Sequence, residues 1–185
     1  MFNVVLIEPE IPPNTGNIGR LCLAAASTLH LVKPLGFSID DRHLQRAGLD
    51  YWKEIEPRVW ESFVELQAAQ TAPARYFFLT TKTQRPYSDA TFTRGDYLVF
   101  GRETRGLPEK LLDENRDGLL TIPMAGTRSL NLATAVAIVL FEAVRQERVR
   151  CPGNTIDFST SAQRTMQRVV QSEAVEVPAG SKLPS

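Results

Sequence analysis

Tyr97-Leu98-Val99-Phe100-Gly101-Arg102-Glu103-Thr104-Arg105-Gly106-Leu107-Pro108 reads as a buried strand that runs straight into a glycine-bounded loop. Four apolar residues in a row, rich in aromatic and β-branched types, mark a strand covered on both faces. Gly101 and Gly106 permit a tight, close-approaching backbone because they lack Cβ. Pro108 opens a short helix that the pattern carries to Asp113. Working outward, Tyr76-Phe77-Phe78-Leu79-Thr80 is a second central strand, and 118–122 is a last one. Val4-Val5-Leu6-Ile7 and Leu29-His30-Leu31-Val32 are two more, the latter stopped by Pro34 and Gly36. Helical spacing appears at 18–28 (Ile18, Leu21, Cys22, Ala25) and at 131–149 (Val136, Val139, Leu140, Ala143). A polar helix is predicted at 40–47 and another at 60–69. Strands alternating with helices imply an α/β fold with a mostly parallel sheet and helices on both faces.

Bulk properties narrow the class. At 185 residues, 43% hydrophobic and 23% charged, the chain has material for one ordinary globular core. No apolar run approaches the roughly 20 residues of a membrane span, and the N-terminus lacks the basic flank of a signal peptide. Two cysteines, Cys22 and Cys151, exclude a disulfide framework and a Cys-built zinc site, and fit a reducing, cytoplasmic setting. His30, in a strand, reads as structural and His43 as solvated, so no metal cluster is expected. The formal net charge is zero, so any nucleic-acid contact must come from a local basic patch or from two chains combined. Cys151-Pro152-Gly153 marks a boundary between a 1–150 domain and a 151–185 tail rich in Ser, Thr, Gln, Pro and Gly, expected to be disordered or loosely packed.

Three segments carry chemistry, each where a strand ends and a helix begins, the edge at which α/β sheets bind ligands. In Gly101–Gly106 the spacing hints at a phosphate loop, but Leu107 and Pro108 stand where Lys and Ser/Thr are required. The loop therefore offers close backbone approach or is a plain turn. Ile122-Pro123-Met124 leaves the sheet at a residue without an N–H donor, a suitable wall for an adenine ring. Ser129-Leu130-Asn131 opens the long helix; either polar residue can cap it, and the helix start also presents donors to the same crevice. Asn14-Thr15-Gly16-Asn17 reads as a turn and cap cluster in which Asn14 bonds its own turn. Arg20, early in the following apolar helix, is either an ion-paired surface residue or a clamp for phosphate or an oxyanion.

Taken together, 12–20 (Pro12 to Arg20), 98–108 (Leu98 to Pro108) and 122–132 (Ile122 to Leu132) resemble the three motifs of the SPOUT superfamily of RNA 2'-O-methyltransferases. Arg46-Ala47-Gly48-Leu49-Asp50-Tyr51 and Leu79-Thr80-Thr81-Lys82 resemble the subgroup acting on the tRNA wobble nucleotide. The likeness spans residues 1–146. It implies a C-terminal trefoil knot, S-adenosylmethionine as cofactor held near Leu79, Gly101, Ile122 and Ser129, and a homodimer whose partner chain completes the site. It implies that Arg20, Asn131 and Asn14 serve catalysis on a tRNA anticodon loop, the wobble ribose accepting a methyl group on its 2'-oxygen. Lys82, Arg85, Arg102, Arg105 and Arg128 fall on loops around the crevice as candidate phosphate contacts. Two alternatives remain: an rRNA 2'-O-methyltransferase, whose large-subunit members often carry an N-terminal RNA-binding domain for which a strand starting at residue two leaves no room, and a non-catalytic S-adenosylmethionine-binding regulator.

Overall fold

The computed structural model describes residues 1–38 and 52–150. The predicted helix at 40–47, His43, the 46–51 segment and the 151–185 tail lie outside the described residues. The elements run β1 (Asn3–Ile7), α1 (Pro12–Ala24), β2 (Thr28–Val32), α2 (Trp52–Ile55), β3 (Arg58–Trp60), α3 (Phe63–Ala68), β4 (Tyr76–Leu79), β5 (Tyr97–Phe100), α4 (Glu109–Glu114), β6 (Leu119–Leu120) and α5 (Leu132–Arg150). All six strands are parallel, in the order β3-β2-β1-β5-β4-β6.

Strand alternation sorts the core into two layers. Val4, Leu6, Leu29, Leu31, Leu98 and Phe100 face α1 and α5. Val5, Ile7, Val32, Phe78 and Val99 face the other way, against Phe63, Leu66 and Leu112 of α3 and α4. The predicted stripe on α5 is the buried one: Val136, Val139, Leu140 and Ala143 are fully enclosed. The chain therefore leaves the sheet at its β6 edge and returns across the carboxyl ends to pack α5 on α1 and β5.

Two sequence expectations need correction, and one open choice is decided. First, α1 starts at Pro12, so Asn14–Asn17 belong to the helix and form no separate turn. Pro12 and Pro13 occupy N1 and N2, where φ is already helical and no N–H is needed. The helix ends at Ala24, with Ala26 at positive φ, and Thr28 begins β2. Second, the helix expected from Trp60 begins at Phe63. Ser62 caps it, its Oγ accepting from Glu65 N–H (3.1 Å), while Glu65 accepts from Glu61 N–H (2.7 Å). The Ser-x-x-Glu spacing was the legible signal. Trp60 instead closes β3 and donates its indole N–H to His30 Nδ1 (3.1 Å). Third, the cap of the long helix, which the sequence left open between Ser129 and Asn131, falls to Asn131: its Oδ1 accepts from the N–H groups of Ala133 (2.9 Å) and Thr134 (3.4 Å).

His30 is structural, as the strand context implied. It is fully buried, stacked on Trp60, and its Nε2 lies 3.2 Å from Asn3 Oδ1. Because Trp60 can only donate, Nδ1 is the acceptor and Nε2 carries the proton. Burial, with Arg58 nearby, lowers its pKa to about 4 and keeps the ring neutral.

Candidate active site

Strand order reverses between β1 and β5. At such a switch point the connections diverge from the carboxyl ends of the strands and leave a crevice. Four of them meet here: the β1–α1 connection, the residues after β4, the 101–108 loop after β5, and the 121–131 return after β6. They enclose a cavity of about 550 Å³, within the range of small-molecule sites.

Asn14, Leu79, Gly101, Ile122, Ser129 and Asn131 all line that cavity. Six of the seven residues singled out from the sequence are thus brought together from segments more than 100 positions apart. Arg20 is the exception: it is exposed on α1 and outside the cavity of its own chain. Of the five cations, Lys82, Arg102 and Arg105 reach the lining. Lys82 is paired with Glu109 (2.8 Å) and Arg102 with Glu8, while Arg85 donates to the Asp117 carbonyl (2.7 Å). Among the described residues, Arg105 and Arg128 are exposed and form no ion pair.

The 101–108 loop can close only because residue 101 is glycine. A Cβ there would lie 2.1 Å from the Gly106 carbonyl carbon and 2.2 Å from Leu107 N, both rigid backbone atoms. Gly106 takes a positive φ of 67° and bridges back to Arg102, its N–H donating to the Arg102 carbonyl (2.9 Å).

A single hydrogen-bonded chain ties the three segments together. Asn131 Nδ2 donates to Asn14 Oδ1 (2.9 Å), and Asn14 Nδ2 donates to Glu103 Oε1 (2.9 Å). Its direction is fixed from the Asn131 end. The helix N–H groups claim Asn131 Oδ1, so Asn131 donates to Asn14 Oδ1 and leaves Asn14 its Nδ2 to donate to Glu103. Each amide therefore has one N–H left over, so the cluster offers donors to a ligand and is built to steady an oxygen carrying developing negative charge. Glu103 had no assigned role in the sequence reading, nor did Glu8, Glu10 and Thr104 beside it. Two carboxylates flanking Pro9 after a strand were the only hint, and the sequence does not say what they face.

Along the 121–131 return, Ile122 and Met124 are half-buried, and their backbone groups make no hydrogen bond within the described residues. Free backbone groups beside Leu79, Leu130 and Leu132 give an apolar slot with a polar edge. No helix among the described residues is long and apolar enough to cross a membrane.

Residues 1–141 match the model of the SpoU rRNA Methylase family. A tRNA (cytidine(34)-2'-O)-methyltransferase of Burkholderia ambifaria is 50% identical over 151 residues, covering 79% of this chain and 96% of that protein. A solved structure giving insight into 2-OH methylation of C/U34 on tRNA superposes with a TM-score of 0.75 at 46% identity, covering 79% of this chain and 95% of the other. The SpoU methyltransferase AviRb of Streptomyces viridochromogenes, in complex with the cofactor AdoMet, superposes at 0.68 with 28% identity, over 78% of this chain and 57% of that one. A family model matched over residues 1–141, and relatives of about half identity covering 79% of the chain, lead to one conclusion: the chain belongs to the SpoU rRNA Methylase family.

Proposed function

We propose that this protein methylates the ribose 2'-hydroxyl of the wobble nucleotide, cytidine or modified uridine, in a tRNA anticodon loop, with S-adenosylmethionine as donor. One observation carries the reading: the three segments converge on one cavity, bound together by the Glu103–Asn14–Asn131 chain. Relatives of about half identity over nearly their whole length carry the tRNA name, which favours tRNA over rRNA.

The cavity fits the cofactor. Leu79, Ile122, Leu130 and Leu132 provide an apolar wall, and the free backbone groups of Ile122 and Met124 would hold the edge of an adenine ring. Ser129 and the start of α5 add polar groups on the same wall. When bound, S-adenosylmethionine supplies an electrophilic methyl group on a sulfonium. The protein's part is then alignment, which in well-oriented reactions is worth up to roughly 7–11 kcal/mol.

As the ribose O–H bond breaks and the new O–C bond forms, charge develops on the 2'-oxygen. The leftover N–H groups of Asn14 and Asn131 are suited to stabilise it. Neither amide oxygen is a base, since both already accept hydrogen bonds. The guanidinium of Arg20 offers donors and no acceptor, so it holds phosphate or the developing alkoxide, and the 2'-proton leaves to phosphate or water. Exposed outside its own cavity, Arg20 suits a homodimer in which one protomer's arginine completes the site of its partner. The return of α5 across the carboxyl edge of the sheet supports the reading of a C-terminal trefoil knot, and a tRNA substrate fits a cytoplasmic enzyme.

The test is incubation with labelled S-adenosylmethionine and total tRNA, followed by mapping of the methylated ribose. Label at position 34 is the expected result. With ribosomal RNA run in parallel, label confined to that arm, or cofactor binding with no transfer to either RNA, overturns the proposal.

A further inference from the structure

Glu10 lies outside the cavity, yet it grips the loop that forms the cavity wall. Three consecutive residues of that loop are each held by the β1–α1 connection. Arg102 pairs with Glu8. Glu103 accepts from Glu10 N–H (2.9 Å) and from Asn14 Nδ2 (2.9 Å). Thr104 donates its N–H to Glu10 Oε2 (3.1 Å), and its hydroxyl reaches both Glu10 oxygens (2.8 and 3.0 Å). Glu10 alone acts through both backbone and carboxylate. It is also backed firmly: Gly36 N–H donates to the Pro9 carbonyl (2.9 Å), and a Cβ at Gly36 would sit 2.8 Å from Glu10 Cα.

We infer that Glu10 is a positioning residue that sets the 102–104 loop, and through Glu103 the Asn14 amide, so that the cofactor wall and the ribose-facing donors are placed together. The carboxylate accepts from Thr104 on both oxygens, and its backbone N–H orients the neighbouring Glu103 carboxylate. These bonds form only at this loop height. Loss of the Glu10 carboxylate lets the loop lift, which weakens cofactor binding and misdirects Asn14, without removing any group that touches a ligand.

The inference rests on the cofactor reading above, so the test has an arm that does not. Amide hydrogen exchange in the apo protein reports the clasp directly: Glu10→Ala should speed exchange at Thr104 and Gly106 while leaving β1 and β5 amides protected. Unchanged exchange at Thr104 overturns the inference. In the second arm, S-adenosylmethionine binding is titrated. Glu10→Ala and Thr104→Val are expected to raise Kd about tenfold or more, the size of a lost charge-assisted bond. They should raise KM for cofactor and lower kcat with little change in KM for tRNA. Thr104→Ser, which keeps the hydroxyl, should restore both, a rescue that bulk destabilisation would not give. Should Glu10→Ala fail to fold, Glu10→Gln and Thr104→Val carry the same comparison. Wild-type cofactor affinity in both overturns the inference. A wild-type protein that binds no S-adenosylmethionine, yet shows the exchange effect, refutes the functional reading and leaves the clasp standing.

Discussion

Gly101→Ala perturbs the site at one atom. The added Cβ meets the Gly106 carbonyl carbon at 2.1 Å, Leu107 N at 2.2 Å and the Gly106 oxygen at 2.4 Å. Ordinary contact begins at 3.4 Å. Because all three obstacles are backbone, no rotamer change relieves them, and the loop must retreat by roughly 1.3 Å, an overpacking strain that costs about 1–3 kcal/mol. That movement exceeds what a 2.9 Å hydrogen bond tolerates, so Glu103 separates from Asn14 or from Glu10. Each such bond to a carboxylate contributes about 1.5–3 kcal/mol where it is kept from water. Urea unfolding should therefore show a loss of about 1–3 kcal/mol at unchanged slope. Calorimetric titration should show S-adenosylmethionine affinity reduced about tenfold or more. A Gly101→Ala protein with the wild-type urea midpoint and wild-type cofactor Kd refutes the account of this loop.

Further outcomes concern the rest of the site and the core. Asn131→Ala removes both the α5 cap and the link to Asn14, and should cost about 0.5–2 kcal/mol in urea melts along with most of the methyl transfer. Asn131→Asp keeps the cap but sets a carboxylate oxygen against Asn14 Oδ1, so it should recover only part of the stability and none of the turnover. Arg20→Lys keeps charge but loses the fork; a large drop in kcat is expected, and full activity sinks the bidentate role. Arg105→Gln with Arg128→Gln should flatten the salt dependence of tRNA binding, by about 0.7 in log–log slope per lost phosphate contact; an unchanged slope assigns binding to other groups. For His30, the folded pKa of about 4 lies below the ordinary 6.5. Its contribution is therefore complete above pH 6.5 and is lost as pH falls towards 4, on the order of 3 kcal/mol over that span. A His30→Phe protein that loses as much stability as wild type between pH 7 and 5 refutes this.

Much of the fold was written in local pattern. The strand cores at Val4–Ile7, Leu29–Val32, Tyr76–Leu79 and Tyr97–Phe100 announced themselves because a strand buried on both faces is apolar along nearly its whole length, His30 being the one polar residue buried in them. Boundaries were harder wherever a polar residue had two uses. Asn14 reads as turn chemistry by local rules, but its amide bonds Glu103 and Asn131, 89 and 117 positions away, so nothing stops α1 from starting at Pro12. Ser129 and Asn131 both have capping side chains, and only the path of the return segment decides between them.

The amino-acid order determined that this chain alternates strands with helices, stacks them as a parallel sheet, and gathers glycine, proline and asparagine at the strand ends. Those properties follow from neighbours along the chain, through dihedral preference and apolar period. What only the folded arrangement decided is which polar groups face one another: Glu8 with Arg102, Glu10 with Thr104 and Asn14 with Asn131, while Arg20 stays exposed outside the lining of its own cavity. Hydrogen bonding acts over about 3 Å of space regardless of sequence separation. Such pairings are fixed by strand order and by the return of α5 across the sheet, which bring distant segments within reach.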